Sequence, residues 1–126
     1  MTQEQEAAIV HSFFTSRLQR HPRSRAVYDV ERNMRYTYGD LARRANGLAR
    51  YLRLGLGLQK GDRVAVCAPN HMAYIDLFYA TPWTGLITTA YNGMMQPEEL
   101  EQVVANESPR VLFYDPVYRE KIQYLQ

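Results

Sequence analysis

Cysteine occurs once in the 126 residues, at position 67. A single thiol rules out a disulfide framework or a multi-cysteine zinc site within one chain. It lies in an apolar run, where a lone cysteine acts as a small hydrophobe, and its scarcity fits a reducing, cytoplasmic compartment. Histidine is almost as scarce. His11, His21 and His71 share no metal-ligand spacing with one another or with Cys67, so they read as independent surface residues and no metal site is expected. Excess charge is missing too: the net charge is +2, too weak a field to suggest a nucleic acid or an anionic membrane as partner. Long hydrophobic runs are missing. Residues 77–97 carry no charge, but four Thr, two Gly and two Pro interrupt them, and a spanning helix is more uniformly apolar. A helix followed by a buried strand explains the stretch better. The opening Met-Thr-Gln-Glu-Gln-Glu is polar and acidic and is not read as a signal peptide. No segment has the glycine spacing of a phosphate loop. There is no Gly-x-Ser-x-Gly turn either, so Ser12, Ser16, Ser24 and Ser108 lack the setting of a nucleophile.

What is present fits one modest α/β domain. Hydrophobic content of 46% and charged content of 22% are ordinary for a globular chain of this size. Of the 15 basic residues only Lys60 and Lys121 are lysine, which suggests genome bias before function. Ten tyrosines suggest packed interfaces with polar tips. Residues 4–20 place Val10, Phe13, Phe14 and Leu18 at helical spacing, ended by His21-Pro22. Residues 25–30 and 34–38 predict a hairpin around Glu31-Arg32-Asn33. Thr37 and Asp40 approximate a capping box. They open a helix with Leu41, Ala45, Leu48 and Leu52 on one stripe, Gly47 permitting close packing, and Gly55-Leu56-Gly57 as its end.

Residues 63–68 then predict a strand. Asn70 is the expected cap of a helix that turns Ile75, Phe78, Tyr79 and Trp83 inward, with Pro82 shortening or kinking its end. Leu86–Ala90 predicts a second strand. Pro97-Glu98-Glu99 starts a helix with Leu100, Val103 and Val104 inward. Val111–Tyr114 reads as a third strand, apolar without alternation, as in a sheet buried on both sides. Residues 63–114 thus read β-α-β-α-β, a small parallel unit with right-handed crossovers, accompanied by the N-terminal helix and hairpin. No linker or repeat divides residues 1–126, which read as one subdomain. The helical pattern over 117–126 has no cap or polar tail, and a three-stranded parallel sheet needs its edges covered. Both suggest a piece of something larger.

Few residues invite chemistry. Asn70 and His71 lie at the carboxyl end of a parallel strand, where α/β ligands often bind, but they read better as a helix cap and an exposed first-turn residue. Asp29, Asp40, Asp62, Asp76 and Asp115 read as capping, turn or strand-end residues, with Asp76 facing solvent by default. Arg43, Arg44, Arg50 and Arg53 could meet coenzyme phosphates, yet a solvated helix face is the usual explanation. No stacking aromatics interleave them. Tyr91-Asn92-Gly93-Met94-Met95 reads as a flexible loop, with the Met pair filling gaps.

The segments TYGDLARRANGLARYLR, KGDRVAVCAPN, Gly85, NGMMQPEEL and PRVLFYD occur in an order and spacing that resembles the N-terminal region of the adenylate-forming acyl-CoA synthetase and ligase superfamily, the AMP-binding enzymes. The resemblance covers nearly the whole chain, most firmly residues 36–115. It implies an ATP-dependent acid–CoA ligase of the kind met in fatty acid metabolism, which forms an acyl-adenylate and then a CoA thioester. ATP, Mg²⁺ and coenzyme A are implied for such a parent, together with a large N-terminal domain of which this chain is part. In that family the phosphate loop, the ribose-binding aspartate and the adenylation lysine come later in the sequence. The resemblance therefore assigns no catalytic, cofactor-binding or metal-binding residue here, and the isolated chain is expected to be inactive. Its partner is then the remainder of the enzyme, with a homo-oligomer as a further option. Ala90, Gln96 and Pro82 depart from the family's usual residues and leave the subfamily open. The alternative is a free-standing, non-catalytic interaction or regulatory module derived from such an enzyme.

Overall fold

The computed structural model describes residues 15–125. Most of the predicted first helix, including Val10, His11, Ser12, Phe13 and Phe14, lies outside them. Residues 15–20 form its described part, α1, and the His21 N–H closes it by donating to the Arg17 carbonyl. The hairpin follows as β1 (Arg25–Asp29) and β2 (Met34–Thr37), antiparallel with Tyr28 opposite Arg35. Its turn is built locally. Asp29 Oδ1 accepts the Arg32 N–H at 3.1 Å, and Asn33 takes a left-handed conformation (φ 50°) that asparagine tolerates.

Thr37 caps α2 (Tyr38–Arg50) as expected. Its Oγ1 accepts the Asp40 N–H at 3.1 Å, and Asp40 Oδ2 accepts the Thr37 N–H at 2.7 Å. The buried stripe is Leu41, Ala42, Ala45 and Ala49. Leu48 is half-buried and packs against the core, and a π-helical turn over Tyr51–Gly55 follows, with Leu52 fully buried. Gly47 does not serve close packing: it is exposed, and a Cβ there would meet nothing within 4 Å. The close approach of α2 to its neighbour is made by alanines instead, Ala45, Ala49 and Ala80.

The centre is a three-stranded parallel sheet of β3 (Arg63–Cys67), β4 (Ile87–Ala90) and β5 (Val111–Tyr114), in the order β4-β3-β5. The crossovers carry α3 (Met72–Thr84) and α4 (Pro97–Glu107). The period-two pleat sorts the core. Val64 and Val66 join Leu52, Leu58, Leu77 and Leu86 on one face; Ala65 and Cys67 join Tyr91, Leu100 and Ile122 on the other. This α/β arrangement is the expected one, with two differences. Phe78 points out, 54% exposed. Because α3 lies between the sheet and α2, Leu77 meets the sheet cluster and Ala80 meets α2. Pro82 lies near the end of α3, as expected, and the helix runs to Thr84 and closes at Gly85 (φ 71°). Strand β5 is only half-buried, since an edge strand has one neighbour, and Tyr114 is exposed.

α4 begins with Pro97 in its first turn, and the Gln96 N–H donates to Glu99 Oε2 at 3.0 Å. After β5 a 3₁₀ turn (Pro116–Tyr118) leads into α5 (Arg119–Gln123), whose Ile122 completes the Ala65–Cys67 cluster.

Candidate functional site

In a parallel sheet, ligand chemistry is expected just beyond the strand ends. Here the loop after β3 is shut by its own side chains. The Tyr74 hydroxyl donates to the Ala68 carbonyl at 2.7 Å and accepts the Ala68 N–H at 3.1 Å. The Ala68 N–H is thus occupied. The Ala73 N–H, in the first turn of α3, is occupied too. His71, not Asn70, is the cap of α3: its backbone is extended (φ −151°), and its Nδ1 accepts the Ala73 N–H at 3.0 Å. Asn70 stays exposed in the loop. The sequence analysis does not single out Tyr74; a tyrosine in the first turn of a helix, six residues after Ala68, is the available signal.

A cleft of about 460 Å³ separates the hairpin from the start of α3, with Tyr28, Glu31, Asn70, His71 and Ile75 among its walls. Asp29 also lines it, and the Arg32 backbone N–H holds that carboxyl below the usual range, so it stays anionic beside Glu31.

Asp76 corrects the expectation of a solvent-facing carboxylate: it is buried and paired with Arg44, which stays exposed. Arg44 Nε and Nη2 donate to the two Asp76 carboxylate oxygens at 2.8 and 2.7 Å. The guanidinium also lies 5.3 Å from the Tyr36 ring centroid. This fork ties α2 to α3, and it raises the Arg44 pKa through the hydrogen bonds to Asp76. Arg43 pairs with Asp40, and Arg53 Nη1 donates to the Leu58 carbonyl at 2.8 Å. Arg43, Arg44 and Arg50 have the expected exposed positions, and Arg53 is half-buried. The remaining candidates serve the backbone. Asp62 Oδ2 accepts the Gln59 N–H, Asp115 Oδ1 accepts the Val117 N–H, and Ser108 Oγ donates to the Ala105 carbonyl. His21 and Ser24 take part in backbone hydrogen bonds at the start of the hairpin. Burial pushes the Cys67 thiol pKa up, away from nucleophilic thiolate chemistry. Among the described residues, no group of three His, Cys, Asp or Glu side chains is placed to hold a metal ion, and no helix is long and apolar enough to cross a membrane.

The loop after β4 is held by the C-terminal segment. Lys121 Nζ donates to the Gly93 carbonyl, and the Tyr118 ring fills the space a Cβ on Gly93 would need. Of the methionine pair, Met95 packs into the core and Met94 is exposed.

The candidate residues thus serve mainly as caps, turn residues and ties between elements. Comparison with known proteins gives the family. The family model described as AMP-binding enzyme matches residues 14–125. An acyl-CoA ligase of Aspergillus fumigatus is 39% identical over 82 residues, 65% of this chain and 14% of its own. A medium-chain acyl-CoA ligase of Macaca fascicularis, described as mitochondrial, is 31% identical over 106 residues, 84% of this chain and 17% of its own. A fatty acyl CoA synthetase of Mycobacterium tuberculosis superimposes with a TM-score of 0.84 and 26% identity, covering 90% of this chain and 22% of that one. The chain thus spans under a fifth of the curated relatives it matches. The chain belongs to the AMP-binding enzyme family, as part of the family's N-terminal region.

Proposed function

We propose that this chain is the opening scaffold of an ATP-dependent acid–CoA ligase. The whole enzyme activates a carboxylic acid as its acyl-adenylate and passes the acyl group to coenzyme A. The chain's own residues bind no nucleotide. They build one edge of the large domain, and the rest of the polypeptide supplies phosphate donors, metal ligands and acyl pocket. The observation that carries this reading is the family match over residues 14–125. The loop after β3 supports the division of labour, because transition-state stabilisation of adenylation needs donors aimed at the developing charge, and Tyr74 and His71 have taken the N–H groups of Ala68 and Ala73.

Two measurements test it. The isolated chain is expected to give no ATP–pyrophosphate exchange with any of a panel of carboxylic acids; clear exchange overturns the scaffold reading. An antibody raised against the chain is expected to mark, in source-cell lysate, a band several-fold heavier than 14.7 kDa. A band only at 14.7 kDa turns the reading to a free-standing binding module.

A further inference from the structure

One stretch of the surface is unexplained by scaffold packing. Residues 41–61 hold Arg43, Arg44, Arg50, Arg53 and Lys60 and no acidic residue, so the chain's small net charge of +2 hides a basic segment. Asp40 and Asp76, from outside the segment, engage Arg43 and Arg44. Arg53 donates to the Leu58 carbonyl, which cancels no charge, and Arg50 and Lys60 are exposed. Apolar side chains reach solvent in the same place. The π-helical turn over Tyr51–Gly55 buries Leu52 fully, yet Leu54 is 77% exposed, with Tyr51 and Leu56 exposed on either side of it in sequence. The turn is held closed. The Leu56 N–H donates to the Tyr51 carbonyl at 2.9 Å, and the Tyr51 ring lies against Gly55, where a Cβ would come within 2.8 Å of it. A solvent-facing leucine by itself is ordinary. A tyrosine and two leucines exposed within residues 51–56, among cations and on a π-turn of the kind frequent at functional sites, form a patterned surface.

We propose that this turn docks on an anionic lipid surface. Tyr51, Leu54 and Leu56 enter the headgroup boundary, and Arg50, Arg53 and Lys60 meet the lipid phosphates. The surface is complementary in both charge and polarity. Tyrosine suits the boundary because its ring is apolar and its hydroxyl polar. Arginine and lysine lay their stems along apolar surface and keep their heads in water. A nucleic acid would engage the cations and leave both leucines in water. No helix among the described residues is long and apolar enough to cross a membrane, so the contact made by this turn is with the membrane's surface. The inference is independent of the ligase reading.

Co-sedimentation of the full polypeptide with lipid vesicles tests this. One set of vesicles is phosphatidylcholine alone, and the other is phosphatidylcholine and phosphatidylglycerol in equal parts. The anionic vesicles are expected to retain the protein, the neutral ones to retain little, and added salt to weaken the retention. Arg50→Gln is expected to bind the anionic vesicles about fivefold more weakly, and Leu54→Ser about tenfold more weakly. Both positions are exposed, so the thermal midpoints of the variants should match wild type. No retention of the wild type, equal retention by neutral vesicles, or variants that bind as well as wild type overturns the proposal. Sedimentation velocity without lipid examines the other occupant. A dimer that Leu54→Ser converts to monomer would make the turn a contact between copies and overturn the lipid assignment.

Discussion

Asp76 sits on a helix of mostly apolar residues, with its side chain 11% exposed. A carboxylate there must be neutral or paired, and the Arg44 fork supplies the pair. Truncating one partner leaves the other imperfectly solvated. Asp76→Ala is expected to cost about 2 kcal/mol of stability, less than a deeply buried pair because Arg44 can turn to water. Urea unfolding of both single variants and the double variant checks this, and a coupling near zero would show that α2 and α3 are held by apolar packing alone. Gly47 gives the opposite sign. It lies in mid-helix, exposed, with open space where a Cβ would go. Gly47→Ala is expected to stabilise by about 0.5 to 1 kcal/mol through backbone entropy, read as a higher urea midpoint at unchanged slope. Neither residue's role was legible in the sequence. Asp76 and Arg44 are 32 positions apart, so no local spacing joins them. Gly47 resembled a packing glycine because the sequence does not say which side of a helix meets its neighbour.

Elements were more legible where the chemistry is local. Thr37 and Asp40 stand three residues apart, so the same spacing that predicts the capping box also builds it. At α3 two adjacent residues could each cap, and the choice fell to His71 because Tyr74 holds the Ala68 backbone and keeps Asn70 in the loop. The run 111–114 revealed a strand but not its place at the sheet edge, because strand order depends on non-local pairing. The α2 cap carries a pH prediction. The Thr37 backbone N–H, then its hydroxyl, hold the Asp40 carboxyl below its ordinary value, with Arg43 adding a smaller pull. A carboxyl depressed in the folded state stabilises at pH above its unfolded value, about 3.9, and that contribution is lost as pH falls through the lower folded value. The difference in thermal midpoint between wild type and Asp40→Asn is therefore expected to be full near neutrality and to shrink below about pH 4. A difference that stays constant down to pH 2 would assign the effect to the side chain's shape and not to its charge.

At the scale of the whole molecule, the open question is what covers the sheet. Strand β3 is paired on both sides and fully buried from Val64 to Cys67, while β4 and β5 each expose an edge. Unpaired strand edges are templates for further strands. Beside them lie Ile87 (41% exposed), Tyr114 (41%) and Val117 (68%). The relatives it matches are each more than five times as long as the aligned stretch, which gives such a surface a natural cover within one polypeptide. Without that cover, two copies can satisfy each other's edges only by pairing. The isolated chain is accordingly expected to self-associate with rising concentration in sedimentation velocity. A lysine in place of Val111 or Ile87, on the two edge strands, should shift that equilibrium towards monomer, since charge on an edge strand opposes pairing. A sharp monomer boundary at every concentration would mean that this small sheet is self-sufficient, and the free-standing module would then become the better account of the chain.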